Sequence, residues 1–177
     1  MLNALGIIAL VLVLAIAAVL ACASTRPDGF RVARTARIAA SPERLFPMIN
    51  DLRQMNTWNP FALRDPTGSG TYRGAASGKG AVFEFASRKS GTGSIEITDT
   101  AAPAKVVMRL MMAKPFKADN TVEFTLRPEG TATEVTWAMS GRQPLLAKAM
   151  TLFIDCDRMV GKDFEAGLAL LKTKAEA

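Results

Sequence analysis

The chain has 177 residues and a mass of 18.9 kDa, which suits one ordinary domain and a short appendage. Apolar residues make up 49% and charged residues 21%, which excludes a disordered polar chain; 22 Lys and Arg against 16 Asp and Glu leave a net charge of +6. Histidine is absent, which removes Ser-His and Cys-His triads and histidine-containing zinc sites, and two cysteines are too few for a disulfide framework or a four-cysteine metal site. No metal and no cofactor is expected.

Residues 1–25 carry no charged side chain, and Ala4 to Ala23 is almost entirely Ala, Leu, Ile and Val. A 20-residue helix of this kind spans about 30 Å, the thickness of the hydrocarbon core of a bilayer. It is apolar on every face, which argues against a buried helix of a soluble domain. Ala21-Cys22-Ala23 resembles a signal-peptide cleavage site, and Val19-Leu20-Ala21-Cys22 is an imperfect lipoprotein box. The apolar run is longer than the usual core of a signal peptide and no Lys or Arg precedes it, so an uncleaved single-pass anchor is the expectation. Cleavage or Cys22 lipidation are the alternatives. Arg26, Arg31, Arg34 and Arg37 follow the segment, which by the positive-inside rule favours a cytoplasmic C-terminal domain. The expected division is therefore an anchor or signal segment over 1–25 and one domain over 26–177.

Within the domain, Phe30 to Ala39 alternates as a strand with Phe30, Val32, Ala36 and Ile38 on one face. Ser41-Pro42-Glu43 opens a helix, Ser41 as cap and Pro42 at the first helical position. Leu45, Phe46 and Ile49 form its apolar side, and Pro47 predicts a short or broken helix. A second short helix is expected within Asp51 to Trp58, ended by Asn59-Pro60. From Gly68 the pattern becomes strands separated by turn residues: Thr71–Gly74, Ala81–Ser87, Gly93–Asp99, Lys105–Met112, Thr121–Arg127 and Thr131–Ser140. Gly78-Lys79-Gly80 and Gly91-Thr92-Gly93 read as hairpin turns, because no helix follows them as it would follow a phosphate loop. Leu145 to Met150 reads as a helical turn or two. Phe153, Val160, Phe164, Leu168 and Leu171 then fall at helical spacing. The predicted class is α+β, a seven-stranded curved antiparallel sheet around a long C-terminal helix, preceded by one transmembrane helix.

That order of elements resembles the START-like superfamily, also called SRPBCC or polyketide cyclase/dehydrase-like, which includes the birch-pollen-allergen helix-grip proteins. The likeness covers roughly residues 30–174. Its carriers are Arg34 to Phe46, where a strand runs into a short helix; Asn50-Asp51-Leu52 followed by Trp58-Asn59-Pro60-Phe61; Thr133 to Ser140; and Gly161 to Leu168 in the last helix. A membrane-anchored bacterial branch of the superfamily is the nearest resemblance. In that branch the N-terminus often carries lysines, which would place the domain outside the cytoplasm; this chain lacks them.

The resemblance implies a helix-grip fold with a cavity between sheet and helix that holds a lipid or another apolar molecule. Such a cavity is expected at ~300–1,000 Å³. On the expected inner faces the lining candidates are Phe83, Phe85, Met108, Leu110, Met112, Phe124, Trp137 and Met139, with Phe153, Val160 and Phe164 from the last helix. Flexible thioethers among them suit a soft apolar pocket, or plain core filling. Trp58 and Phe61 flank a proline and are expected as a lid over the cavity, at the membrane interface, or as side cover for the core. Arg34 and Asp157 fall in phase with apolar neighbours. They would touch a ligand headgroup, pair with each other across the cavity, or sit at exposed element ends. Asp155, Asp157, Asp163 and Glu165 crowd the last helix; local pairing with Arg158 and Lys162 on a solvated face is expected before acid–base chemistry.

The expected function is a membrane-anchored domain that binds a hydrophobic molecule, foremost a lipid, without chemistry. Two alternatives stay open. One is a cyclase/dehydrase-type enzyme, for which Arg34, Asp157 and Tyr72 are the candidates. The other is a protein-interaction module. Basic residues are spread among acids and form no nucleic-acid motif, so the +6 charge fits attraction to an anionic membrane surface better. The expected partners are a hydrophobic small molecule or lipid and a membrane through residues 4–23, with no nucleic acid.

Overall fold

The computed structural model describes residues 2–152 and 155–177. The chain begins with α1 (Leu2–Ser24), a helix long and apolar enough to cross a membrane, whose side chains are exposed almost throughout. Four residues later β1 (Gly29–Ile38) starts the folded body. Three short helices follow, α2 (Pro42–Asn50), α3 (Leu52–Met55) and α4 (Pro60–Leu63). Then come six strands, β2 (Ser69–Gly74), β3 (Ala81–Ser87), β4 (Gly91–Ala101), β5 (Lys105–Lys114), β6 (Ala118–Glu129) and β7 (Ala132–Arg142). The chain ends with α5 (Leu145–Met150) and the long α6 (Cys156–Glu176).

Local chemistry explains the helix boundaries. Ser41 accepts a hydrogen bond from the Arg44 backbone and Pro42 sits in the first turn of α2, a favourable pairing of cap and proline. Pro47 does not break α2, which runs on to Asn50 and is closed by Asp51 N donating to Pro47 O at 3.2 Å. Asn59-Pro60, expected to end a helix, starts one instead: the Asn59 side chain accepts from Phe61 N and caps α4.

The strands form one antiparallel sheet in the order β1-β7-β6-β5-β4-β3-β2. It is a meander in which β1 returns to pair with β7, and register shifts in β4 at Thr92/Gly93 and Ile97/Asp99 add the curvature that bulges bring. α6 packs against β1 and β7. Its buried stripe is Phe164, Gly167, Leu168, Leu171 and Ala175, spaced to keep one face on the sheet. Gly167 is needed there because a Cβ would collide with the Trp137 ring and crowd Pro60.

Rows of side chains cross the concave face, and their burial is graded. Val106, Phe124, Trp137 and Arg34 are cross-strand neighbours in one row, and Ile97, Met108, Val122, Met139 and Val32 in the next. Val106, Phe124, Ile97 and Met108 in these rows are fully buried, beneath Leu45, Ile49, Leu52, Met55 and Trp58 of the short helices. Phe83, Ile95 and Leu110 form the following row, then Phe85, Gly93 and Met112; here the side chains are only half-buried. The core cluster, with the side chains packed against it, runs from Phe30 to Ala175 and takes nothing from α1, so the body carries its own core.

Candidate functional site: a hollow under the sheet

The graded burial has a structural cause. α6 covers the β1–β7 side of the concave face, and the short helices cover its upper part. The lower half of β3, β4 and β5 is left without a roof, and Gly70 and Gly93, on either side of Phe85 in the register, supply no side chains to fill the space. What remains is a cavity of about 250 Å³, a little below the ~300 Å³ at which ligand pockets generally begin. The sheet contributes Phe83, Phe85, Ile95, Leu110, Met112, Val122, Trp137 and Met139 to its wall. Met55, Asn56, Asn59, Phe61 and Ala62 face it from the short helices, and Phe164 from α6. Asp65, Gly68, Ser69 and Gly70 line one side and Ser87 and Ser90 the lower end.

The polar groups in this wall are mostly committed to the protein. Asn56 Nδ2 donates to the Tyr72 hydroxyl at 2.9 Å, and Ser90 Oγ donates to Phe61 O at 2.8 Å. Asp65 is buried, and its two oxygens accept from Thr67 Oγ1 and N and from Ser87 Oγ and Arg88 N. The Thr67 and Ser87 hydroxyls chiefly hold its pKa down to about 2, as hydrogen bonds to the charged form do. Among the described residues, the Trp137 indole N–H is a buried donor without a partner. Trp137 stacks on Phe164 with ring centroids 4.3 Å apart.

The pKa of Asp65 is depressed in the folded protein, so its contribution to stability is present above the ordinary carboxylate value of 3.8 and is lost as the pH falls toward 2. Asp65→Asn is therefore expected to lower the urea midpoint at neutral pH, because its amide would face the Arg88 and Ser87 donors. The difference from the parent should shrink steadily below pH 4. Urea melts from pH 7 to pH 2 check this, and a difference that does not change with pH would contradict it.

Of the sequence-predicted residues, Phe61, Phe83, Phe85, Leu110, Met112, Trp137, Met139 and Phe164 lie on the wall of the hollow. Met108 and Phe124 share the concave face but sit in the packed rows above it. Trp58 is neither lid nor interface residue: it is fully buried, its Nε1 donates to Met48 O at 2.9 Å, and its ring meets Phe124 and Trp137 edge-on. Val160 is half-buried beside the core and is not part of the wall. Phe153 lies outside the described residues.

Arg34 and Asp157 do pair, but at the seam between β1 and α6 and not across the hollow. Arg34 Nη2 donates to Asp157 Oδ2 at 2.9 Å and Nε to Glu165 Oε1 at 2.8 Å. Its bonds to Asp157, then to Glu165, push the guanidinium pKa further up, and the carboxyl of Asp157 is held below its ordinary range chiefly by the bond from Arg34. Gly161 makes room for the clamp, since a Cβ there would collide with the guanidinium. The other helix carboxylates are likewise taken by partners: Asp163 by Arg64, and Asp155 by capping the Arg158 backbone. The local pairs expected with the Arg158 and Lys162 side chains are not the ones formed, because α6 lies against β1 and α4, which bring arginines to it.

Residues that the sequence reading missed are the polar rim, Asn56, Asn59, Asp65, Ser87 and Ser90, together with Met55, Ile95 and Val122. Ile95 and Val122 carried a signal, since they stand in phase with the predicted inner faces. Asp65 lies in a loop without periodicity and carried none.

Residues 29–176 match the family model described as polyketide cyclase / dehydrase and lipid transport. A search of the curated proteins finds no match. Among solved structures, the chain is similar to the Aha1 dimer from Colwellia psychrerythraea, with 15% identity, 83% of this chain and 96% of that one covered, and a TM-score of 0.60. It is similar to protein CV1439 from Chromobacterium violaceum at 15% identity, covering 86% and 99%, with a TM-score of 0.58. Protein MLL2253 from Mesorhizobium loti matches at 19% identity over 80% and 96%, with a TM-score of 0.58. At these identities the likeness is one of fold.

Proposed function

The chain belongs to the polyketide cyclase / dehydrase and lipid transport family, and on that premise we propose that it is a membrane-anchored, non-catalytic binding domain whose hollow takes a lipid or another hydrophobic molecule. The observation that carries this reading is the cavity of about 250 Å³ walled by Phe83, Phe85, Ile95, Leu110, Met112 and Met139. Burying a methylene of a guest there gains about 0.8 kcal/mol. The volume suits one hydrocarbon chain or part of one, and the methionine side chains can adapt to its shape. α1, apolar and exposed, supports the anchor.

The non-catalytic reading rests on the chemistry of the wall. Asp65 is the ionisable side chain in it among the described residues, and four donors already occupy its oxygens. A carboxylate held so far below neutrality is a poor proton acceptor. The enzyme candidates Arg34 and Asp157 are bonded to each other away from the hollow, and Tyr72 accepts from Asn56 and lies tilted against Phe83.

The test uses residues 26–177, which contain the whole core cluster. Incubation with a bacterial lipid extract followed by native mass spectrometry is expected to show discrete bound species with unchanged guest masses. An absence of bound mass would sink the reading, and guests recovered with altered masses would replace it with an enzymatic one.

A further inference from the structure

The meander puts every strand end on one of two sides, and the two sides differ. β1 starts, β7 ends, β6 starts, β5 ends, β4 starts, β3 ends and β2 starts on the same side. That is also the side at which α1 enters, because only Thr25–Asp28 separate α1 from β1 and a link of that length reaches at most ~18 Å. The link is held there as well: Gln143 N donates to Asp28 O at 2.7 Å, and the buried Lys148 bonds both Arg26 O and the Asp28 carboxylate.

This side is basic. Arg26, Arg88, Lys89, Lys114, Lys117 and Arg142 are exposed at its turns and strand ends and form no ion pair among the described residues. Of its acids, Asp28 is paired with Lys148 and Asp119 with Arg109, while Asp65 keeps its charge but is buried beneath four donors. The opposite side is less one-sided: Glu129 is paired with Arg37 and Lys172 with Glu176, and exposed Arg44, Lys79, Arg127 and Lys174 share it with Glu43 and Asp99. The basic side also carries an exposed aromatic: Phe116, 64% exposed, projects from the β5–β6 turn between Lys114 and Lys117. An apolar ring flanked by lysines suits the headgroup region of an anionic bilayer. The lower rows of the hollow, with Phe85, Met112, Ser87 and Ser90, lie next to the same turns.

We propose that this side of the domain docks on the surface of the anionic membrane that α1 spans, with Phe116 entering the interface and the β3–β4 and β5–β6 turns holding the lower end of the hollow against the lipid. The docking rests on α1 lying in a bilayer, and the consequence that a guest passes between bilayer and hollow without crossing water rests on the function proposed above.

Residues 26–177, freed of α1, are expected to co-sediment with vesicles of phosphatidylcholine and 30% phosphatidylglycerol and not with pure phosphatidylcholine. Lys114→Ser with Lys117→Ser is expected to weaken that binding roughly twenty-five-fold, at about five-fold per lysine, and Lys79→Ser on the opposite side to leave it unchanged. Phe116→Trp should show blue-shifted emission only with the anionic vesicles. Absence of vesicle binding, equal loss in the Lys79 variant, or emission unmoved by vesicles would each overturn the proposal. Native mass spectrometry on the lysine double variant separates the two readings. Bound species that persist while vesicle binding is lost show the docking surface acting alone. A domain that binds vesicles but no guest leaves the docking standing and removes the proposed function.

Discussion

Leu110→Trp is expected to reduce binding of a hydrophobic guest at least ten-fold while the domain stays folded. Leu110 stands between Ile95 and Asn120 in the register, half-buried, on the wall of the hollow. An indole at that position would fill the space above Gly93 that no native side chain occupies. Overpacking a closed core costs ~1–3 kcal/mol, but here the ring enters a void, so the stability change should stay below about 1.5 kcal/mol. Native mass spectrometry and a urea melt of the same sample check the two halves. A folded variant that binds guests as well as the parent would show that the hollow is not where they sit.

The second large effect belongs to Trp58. Trp58→Ala is expected to destabilise the domain by ~3–5 kcal/mol, the range for removing a buried tryptophan, because it empties the centre of the ring cluster with Phe124 and Trp137 and leaves Met48 O without its donor. For a domain of this size that lowers Tm by roughly 10 °C. Trp58→Phe should recover most of the packing and lose chiefly the hydrogen bond. Thermal melts decide between core and lid: an exposed lid residue would change stability by less than ~0.5 kcal/mol.

The contrast between these two residues shows how far the sequence reading reached. Alternation along a strand fixes which face a side chain takes, and so Phe83, Phe85, Leu110, Met112, Trp137 and Met139 were assigned to the correct face. It does not say at which height along the strand packing is complete. Met108 and Leu110 are two residues apart on one face, yet one is fully buried and the other faces the hollow. That difference arises from where α2–α4 and α6 lie across the sheet, which is tertiary information.

The polar positions teach the same lesson from the other side. Arg34 was in phase with apolar neighbours, but β1 is an edge strand and α6 brings Asp157 and Glu165 beside it, so the apparent buried charge is a half-exposed clamp. Exposed pairs of this kind add little to stability, and its role is to fix the approach of α6 to the sheet edge. Asn59-Pro60, read as a stop, suits a start equally well, since asparagine caps helix N-termini and proline favours the first turn. Gly93, read both as the end of a turn and as the first residue of a strand, lies inside β4, where its missing side chain leaves space in the hollow.

The methionines offer the most direct measurement of the central claim, that an apolar guest sits under the lower half of the sheet. Met55, Met112 and Met139 line the hollow, Met108 is sealed in the core, and Met111 and Met159 are exposed outside it. Titrating a methyl-labelled domain with a monoacyl phospholipid below its micelle threshold is expected to shift the ε-methyl resonances of Met55, Met112 and Met139 and to leave those of Met108, Met111 and Met159 in place. Shifts confined to Met111 and Met159, or no shifts at all, would contradict it.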